Sequence, residues 1–117
     1  MGLPKNILYL YWYKIVIEAE LADSLWKQFI GLSFSEKHNL FFQMPCESNW
    51  GCHMFGMRYP LKMVFIDKNK KVVDVQDALP WTLNPKTWKS YEPKLPCKFI
   101  LETPFDLDIK VNDVLAW

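Results

Sequence analysis

At 117 residues the chain is expected to be one domain, residues 1–117, and its 50% hydrophobic, 16% aromatic content supplies a core worth burying. A formal net charge of +1 makes no electrostatic case for nucleic acid or for an acidic membrane surface. The three cysteines, an odd number, and the absence of any secretory leader or apolar run near the ~20 residues of a spanning helix point to a reducing, cytoplasmic setting.

Residues 1–11 read as a loose arm or an extra edge strand. Their apolar patch, residues 7–13, should pack on the domain or on a neighbouring copy, so the protein is expected to be a monomer or a weak homodimer through this arm. Residues 12–21 alternate as a strand, with Ile15 and Ile17 on one face and Val16 and Glu18 on the other. Asp23 or Ser24 then caps a short helix whose Leu25, Phe29 and Leu32 face the core, and Gly31 marks its end. Residues 40–44 form the next strand, which Pro45 should stop.

Residues 51–67 organise the rest. They read as two apolar strands joined at a corner made by Pro60. Cys52, Met54 and Gly56 share one face, and His53, Phe55 and Met57 the other, so the first strand is apolar on both. That pattern needs cover on two sides or a sheet wrapped into a barrel. Met63 and Phe65 share the inner face of the second strand and should be more than nine-tenths buried. Residues 65–73 form a hairpin with a solvated, lysine-rich tip, where Asn69 suits a left-handed backbone. Val73 and Val75 continue the core face. Pro80, Pro85, Pro93 and Pro96 forbid regular pairing across 79–96, so Trp81, Trp88 and Tyr91 should pin that long loop. A strand over 97–102, a helical turn at 106–108 and a last strand at 113–117 complete the chain. The predicted class is α+β: a small β-rich barrel or sandwich of curled, mostly antiparallel strands with one short helix after the first strand.

The segment His53-Met54-Phe55-Gly56-Met57, followed by Pro60-Leu61 and Val64-Phe65-Ile66-Asp67, resembles the DUF192 (UPF0127) family, most closely its archaeal branch. Gly31-Leu32, Leu40-Phe41-Phe42, Pro80-Trp81, Phe99-Ile100-Leu101-Glu102-Thr103-Pro104 and Ile109-Lys110-Val111-Asn112-Asp113 extend the resemblance over roughly residues 14–117. Lys62 departs from it, standing where the family usually has Asp, and Phe105 replaces a Gly. Asn112 also replaces a Gly, a mild change because Asn tolerates the left-handed region. The family has no established biochemical activity, so the resemblance implies a fold more than a reaction. A lysine cannot replace a catalytic carboxylate, so Lys62 should carry an exposed amine and take no part in any shared chemistry.

Candidate chemistry is sparse. His38, Cys46, Cys52 and His53 lie near one another, but no paired zinc spacing exists, and adjacent Cys52 and His53 point to opposite strand faces. The cysteines are read as reduced, metal-free thiols. Cys97 or Cys46 with His53 could form a nucleophilic pair, yet nothing in the sequence lowers a thiol pKa, and no catalytic residue is assigned. Asp67, Asp74, Asp77 and Glu102 lie on or near strands, most of them expected at the surface. Four glycines build no phosphate-cradling loop, and no cofactor is implied. What remains is a pocket near His53 and Phe55, closed by Trp81, Trp88 and Tyr91, with Glu102 as a polar partner. A packed core histidine under that loop is the competing reading. The function predicted is a small-molecule binding or accessory module; the alternatives are an enzyme using His53 and Glu102, or an interaction domain using the N-terminal arm.

Overall fold

β-branched and aromatic side chains alternate along the N-terminal stretch, and they pair there into a hairpin of β1 (Ile7–Trp12) and β2 (Ile15–Ala22). The computed structural model describes residues 7–22, 39–54 and 59–117, with only the backbone of Ala22 and His53. The remaining strands are β3 (Asn39–Ser48), β4 (Cys52–His53), β5 (Leu61–Ile66), β6 (Val72–Ala78), β7 (Ser90–Tyr91) and β8 (Cys97–Thr103). Six of them form one sheet in the order β1-β2-β3-β8-β5-β6, and β4 and β7 form a second, two-stranded sheet. Pairing is antiparallel throughout, except that β2 and β3 run parallel.

The late strand β8 sits in the middle of the large sheet, between β3 and β5. Its alternation therefore feeds two cores. On one face Ile100 joins Leu40, Phe42, Met63 and Phe65, covered by Cys52, Met54 and Tyr91 and by Trp50, Tyr59 and Trp81. On the other face Phe99 and Leu101 join Leu10, Ile17, Phe41, Val64 and Ile66, covered by Leu107, Ile109, Leu115 and Trp117. Met63 and Phe65 are 0% exposed, as the alternation of β5 requires.

The α+β barrel expectation is overturned. Among the described residues the helical element is a single 3-10 turn, Pro85–Thr87, and the six-stranded sheet does not close on itself. The protein is β-rich and layered. A strand apolar on both faces needs two covers, and here each face receives a separate layer of chain. The C-terminal segment reaches both sheet margins by isolated bridges, Tyr11 with Ala116 and Lys71 with Val114, in place of the last strand expected. The helix expected over 23–31 lies outside the described residues.

Smaller differences have local causes. Pro45 does not stop β3. The strand passes through it to Ser48, and the ladder with β8 slips between Gln43 and Ser48, an irregularity that tolerates a residue without an N–H. In the β5–β6 hairpin the left-handed residue is Lys70, at φ 68°, not Asn69. The Asp67 carboxylate accepts from the Asn69 and Lys71 amides at 2.8 and 3.0 Å, and the Lys70 ammonium lies 4.7 Å from the Trp117 ring centre. Those contacts offset the strain of a non-glycine residue in that region. Asn112 does adopt φ 78°. Residues 106–108 make no helical turn.

Candidate functional site

Glu102 is the polar residue at the centre of the sheet. The register sets it between Leu40 of β3 and Met63 of β5, on the face that carries Ile100. It is 1% exposed. Moving a carboxylate from water into apolar surroundings is costly unless other groups compensate it. Tyr59 packs against the same cluster. Burial raises the Tyr59 phenol above its ordinary pKa, and the negative charge of Glu102 raises it further. The site thus holds a protonated phenol within electrostatic reach of a buried carboxylate.

Segment 79–91 forms a closed unit beside this face. Trp81 and Trp88 stack with ring centres 6.2 Å apart. Their indole N–H groups donate to the carbonyls of Lys89 (3.1 Å) and Thr82 (2.7 Å). Asn84 caps the 3-10 turn by accepting from the Lys86 amide at 3.0 Å. Tyr91 is buried, and its hydroxyl accepts from the Leu79 amide at 3.0 Å. The aromatic side chains therefore do fix this loop. Its return is held by Asp74, which accepts from the Lys94 amide at 3.1 Å and from Gln76 Nε2 at 2.8 Å.

The structure brings Trp81, Tyr91 and Glu102 to one side of the large sheet. Trp88, 53% exposed, lies further out on Trp81. The His53 backbone runs beside the aromatic segment, with Cys52 paired to Tyr91 and His53 to Ser90. Phe55 lies outside the described residues. Asp74 is buried, against the expectation that most strand carboxylates face solvent, and Glu102, expected as the polar partner of the pocket, is buried as well. Alternation assigns each to a face but says nothing of what the distant chain lays over it. Tyr59 was missed altogether; its place directly before the Pro60 corner was the available signal.

Lys62 also differs from expectation. Its side chain is 19% exposed and lies 4.0 Å from the Asp106 carboxylate. The amine donates to the Leu107 carbonyl. A long stem on the Val64 and Ile66 face of β5 leads to this anchored amine rather than to a free one. The thiols of Cys46, Cys52 and Cys97 are unbridged. Burial pushes the Cys97 thiol up to about 11, which keeps it protonated and unreactive at neutral pH. Among the described residues no group of three His, Cys, Asp or Glu side chains could hold a metal, and no helix is long and apolar enough to cross a membrane.

A six-stranded sheet covered on both faces, with a small two-stranded sheet over one of them, defines the class of this protein. The chain belongs to the DUF192 family, described as "Uncharacterized ACR", whose model matches residues 12–116. It is 35% identical over 111 residues to the UPF0127 protein PF1050 of Pyrococcus furiosus, covering 89% of this chain and 90% of that one. It is 37% identical over 107 residues to the UPF0127 protein PH1112 of Pyrococcus horikoshii, covering 86% and 87%. These relatives match the archaeal character of the motif. A crystal structure from Sinorhizobium meliloti, of a protein for which a transcription-regulator role has been suggested, superposes with a TM-score of 0.81 over 99% of this chain and 97% of that one. At 16% identity that likeness is one of fold.

Proposed function

We propose that the protein is a small-molecule binding module whose ligand sits on the Glu102 face, walled by the 79–91 segment. The observation that carries this reading is the Glu102 carboxylate, withdrawn from water among Leu40, Met63 and Ile100 and close enough to Tyr59 to shift its phenol. Apolar walls with a few convergent polar groups are how small-molecule sites are built. Packing alone would be served better by Leu or Met at this position. Trp81, Trp88 and Tyr91 form the proposed wall, beside which the Cys52–His53 backbone pairs with Ser90 and Tyr91. A metabolite set screened by thermal shift tests the reading. A hit should raise the melting temperature of the wild type, and Glu102→Gln and Trp88→Ala should reduce that rise. A hit insensitive to both substitutions would refute the assignment.

A second reading, contact with another copy through the N-terminal strand, rests on the exposed outer edge of Ile7, Tyr9 and Tyr11 on β1. Sedimentation of the wild type and of Tyr11→Lys over a concentration series checks it.

A further inference from the structure

We infer that residues 79–91 form a docking tip for the surface of an anionic lipid bilayer, a partner beyond the small molecule proposed for the Glu102 face. The formal charge of +1 hides an uneven distribution. Residues 79–91 hold Lys86 and Lys89 and no Asp or Glu, and the return to β8 adds Lys94 and Lys98 against Glu92 alone. The segment is therefore locally cationic, while the rest of the chain is slightly acidic by the same count. It is also apolar at its end. Leu83 is 98% exposed and Trp88 53%. The Trp88 indole donates to the Thr82 carbonyl at 2.7 Å, so its ring lies against the peptide that leads into Leu83.

The polar groups of this tip bond one another, and its apolar side chains face out. The Thr82 amide donates to Thr87 Oγ1 at 2.8 Å, and the Thr87 hydroxyl donates to the Asn84 carbonyl at 2.8 Å. Thr82 Oγ1 accepts from the Asn84 amide at 3.1 Å, and Asn84 Oδ1 from the Lys86 amide at 3.0 Å. The Thr87 and Trp88 amides close the 3-10 turn on the Asn84 and Pro85 carbonyls at 3.0 Å each. A loop that meets only water can leave such groups to solvent. A loop that enters the headgroup layer has to carry its hydrogen bonds with it, because an unpaired amide or carbonyl is costly there. The Trp81 stack holds Trp88 in place before contact, which lowers the ordering cost of docking. A Trp ring with one N–H suits the headgroup level, and Leu83 offers its whole side chain to the acyl boundary. Lys86, exposed in the turn, attracts anionic headgroups. Nucleic acid would meet the same lysines and stack on the indole, but an aliphatic Leu at the end of the tip favours lipid.

The test is cosedimentation of the full chain with vesicles of phosphatidylcholine mixed with phosphatidylglycerol, compared with pure phosphatidylcholine. The mixed vesicles should bind the protein, more weakly as salt is raised, and the neutral ones should bind it poorly. Leu83→Ser should weaken binding to the mixed vesicles about tenfold, the scale of one Leu side chain withdrawn from water. Lys86→Gln should weaken it about fivefold. Tyr9→Ser, on the exposed side of β1 at the opposite margin of the sheet, should leave it unchanged. Leu83 stands outside the wall proposed for the small molecule, so Leu83→Ser separates docking from ligand binding. Equal affinity for both kinds of vesicle, no binding to either, affinity unaltered by Leu83→Ser, an equal loss in Tyr9→Ser, or binding to a DNA oligonucleotide in place of the vesicles would overturn the proposal.

Discussion

The two faces of the central sheet are sealed in different ways. On the Phe41 face the closure is apolar and long-range. Phe41 and Phe99 stack at 5.6 Å, and Trp117 meets both edge-on at 5.0 and 4.8 Å. The segment holding Trp117 is bonded to the sheet itself, through Ala116 to Tyr11, Leu115 to Lys70 and Asp113 to Val72. On the Glu102 face the outer layer is bonded largely to itself, by the Trp81, Trp88 and Asn84 contacts, and it rests on the sheet through Tyr91 and Trp81. The first face is built to stay shut. The second holds a carboxylate and a phenol beneath a self-supporting cover.

Substitutions can break this contrast or sharpen it. The largest effect is expected in the core of the Glu102 face. Phe65→Ala should cost about 3–5 kcal/mol in urea unfolding, because its ring is fully buried and leaves a cavity. A cost below about 1 kcal/mol would mean that this face collapses freely. Next comes the latch of the Phe41 face, Asp113, which accepts from Trp12 Nε1 and the Lys110 amide at 2.9 Å each and from the Tyr13 hydroxyl at 3.1 Å. The Lys110 amide leads in holding its carboxyl below the usual 3.8, partial burial opposes this, and the Trp12 and Tyr13 hydrogen bonds assist. A depressed pKa contributes stability above the unfolded value, and that stability is lost as pH falls through the folded one. Asp113→Asn should therefore be less stable than the wild type at pH 7, by about 1 kcal/mol, and the gap should narrow below pH ~4. Acid titration of the two proteins, followed by denaturant midpoint, checks this. The smallest effect belongs to Lys62→Ala, which removes one hydrogen bond to Leu107 and should cost about 1 kcal/mol or less, measured the same way.

Much of the strand plan was legible because alternation is a local signal. The β5–β6 hairpin and the burial of Met63 and Phe65 follow from residue order. The closure of the sheet was not legible. A strand apolar on both faces suits a barrel and a layered sheet equally, and the choice depends on where residues 79–91 and 107–117 come to rest. The same limit hid the burial of Asp74 and the place of Tyr59 beside Glu102. Asp74 has no local mark of burial, since its cover comes from distant chain, whereas the aromatic composition of 79–96 announced its pinning directly. Lys70 rather than Asn69 adopts the left-handed turn because Trp117, 47 residues on, accepts its ammonium at 2.9 Å.

The bridges of the C-terminal segment have a dynamic consequence. β1 and β6 occupy opposite margins of the sheet, and one short strap, residues 113–116, is bonded at Tyr11 on one side and around Lys70 to Val72 on the other. Opening either margin has to loosen the same strap. Amide protons at Tyr11 and at Val72 should therefore exchange with a common opening free energy, as one cooperative unit drawn from the two ends of the strand order.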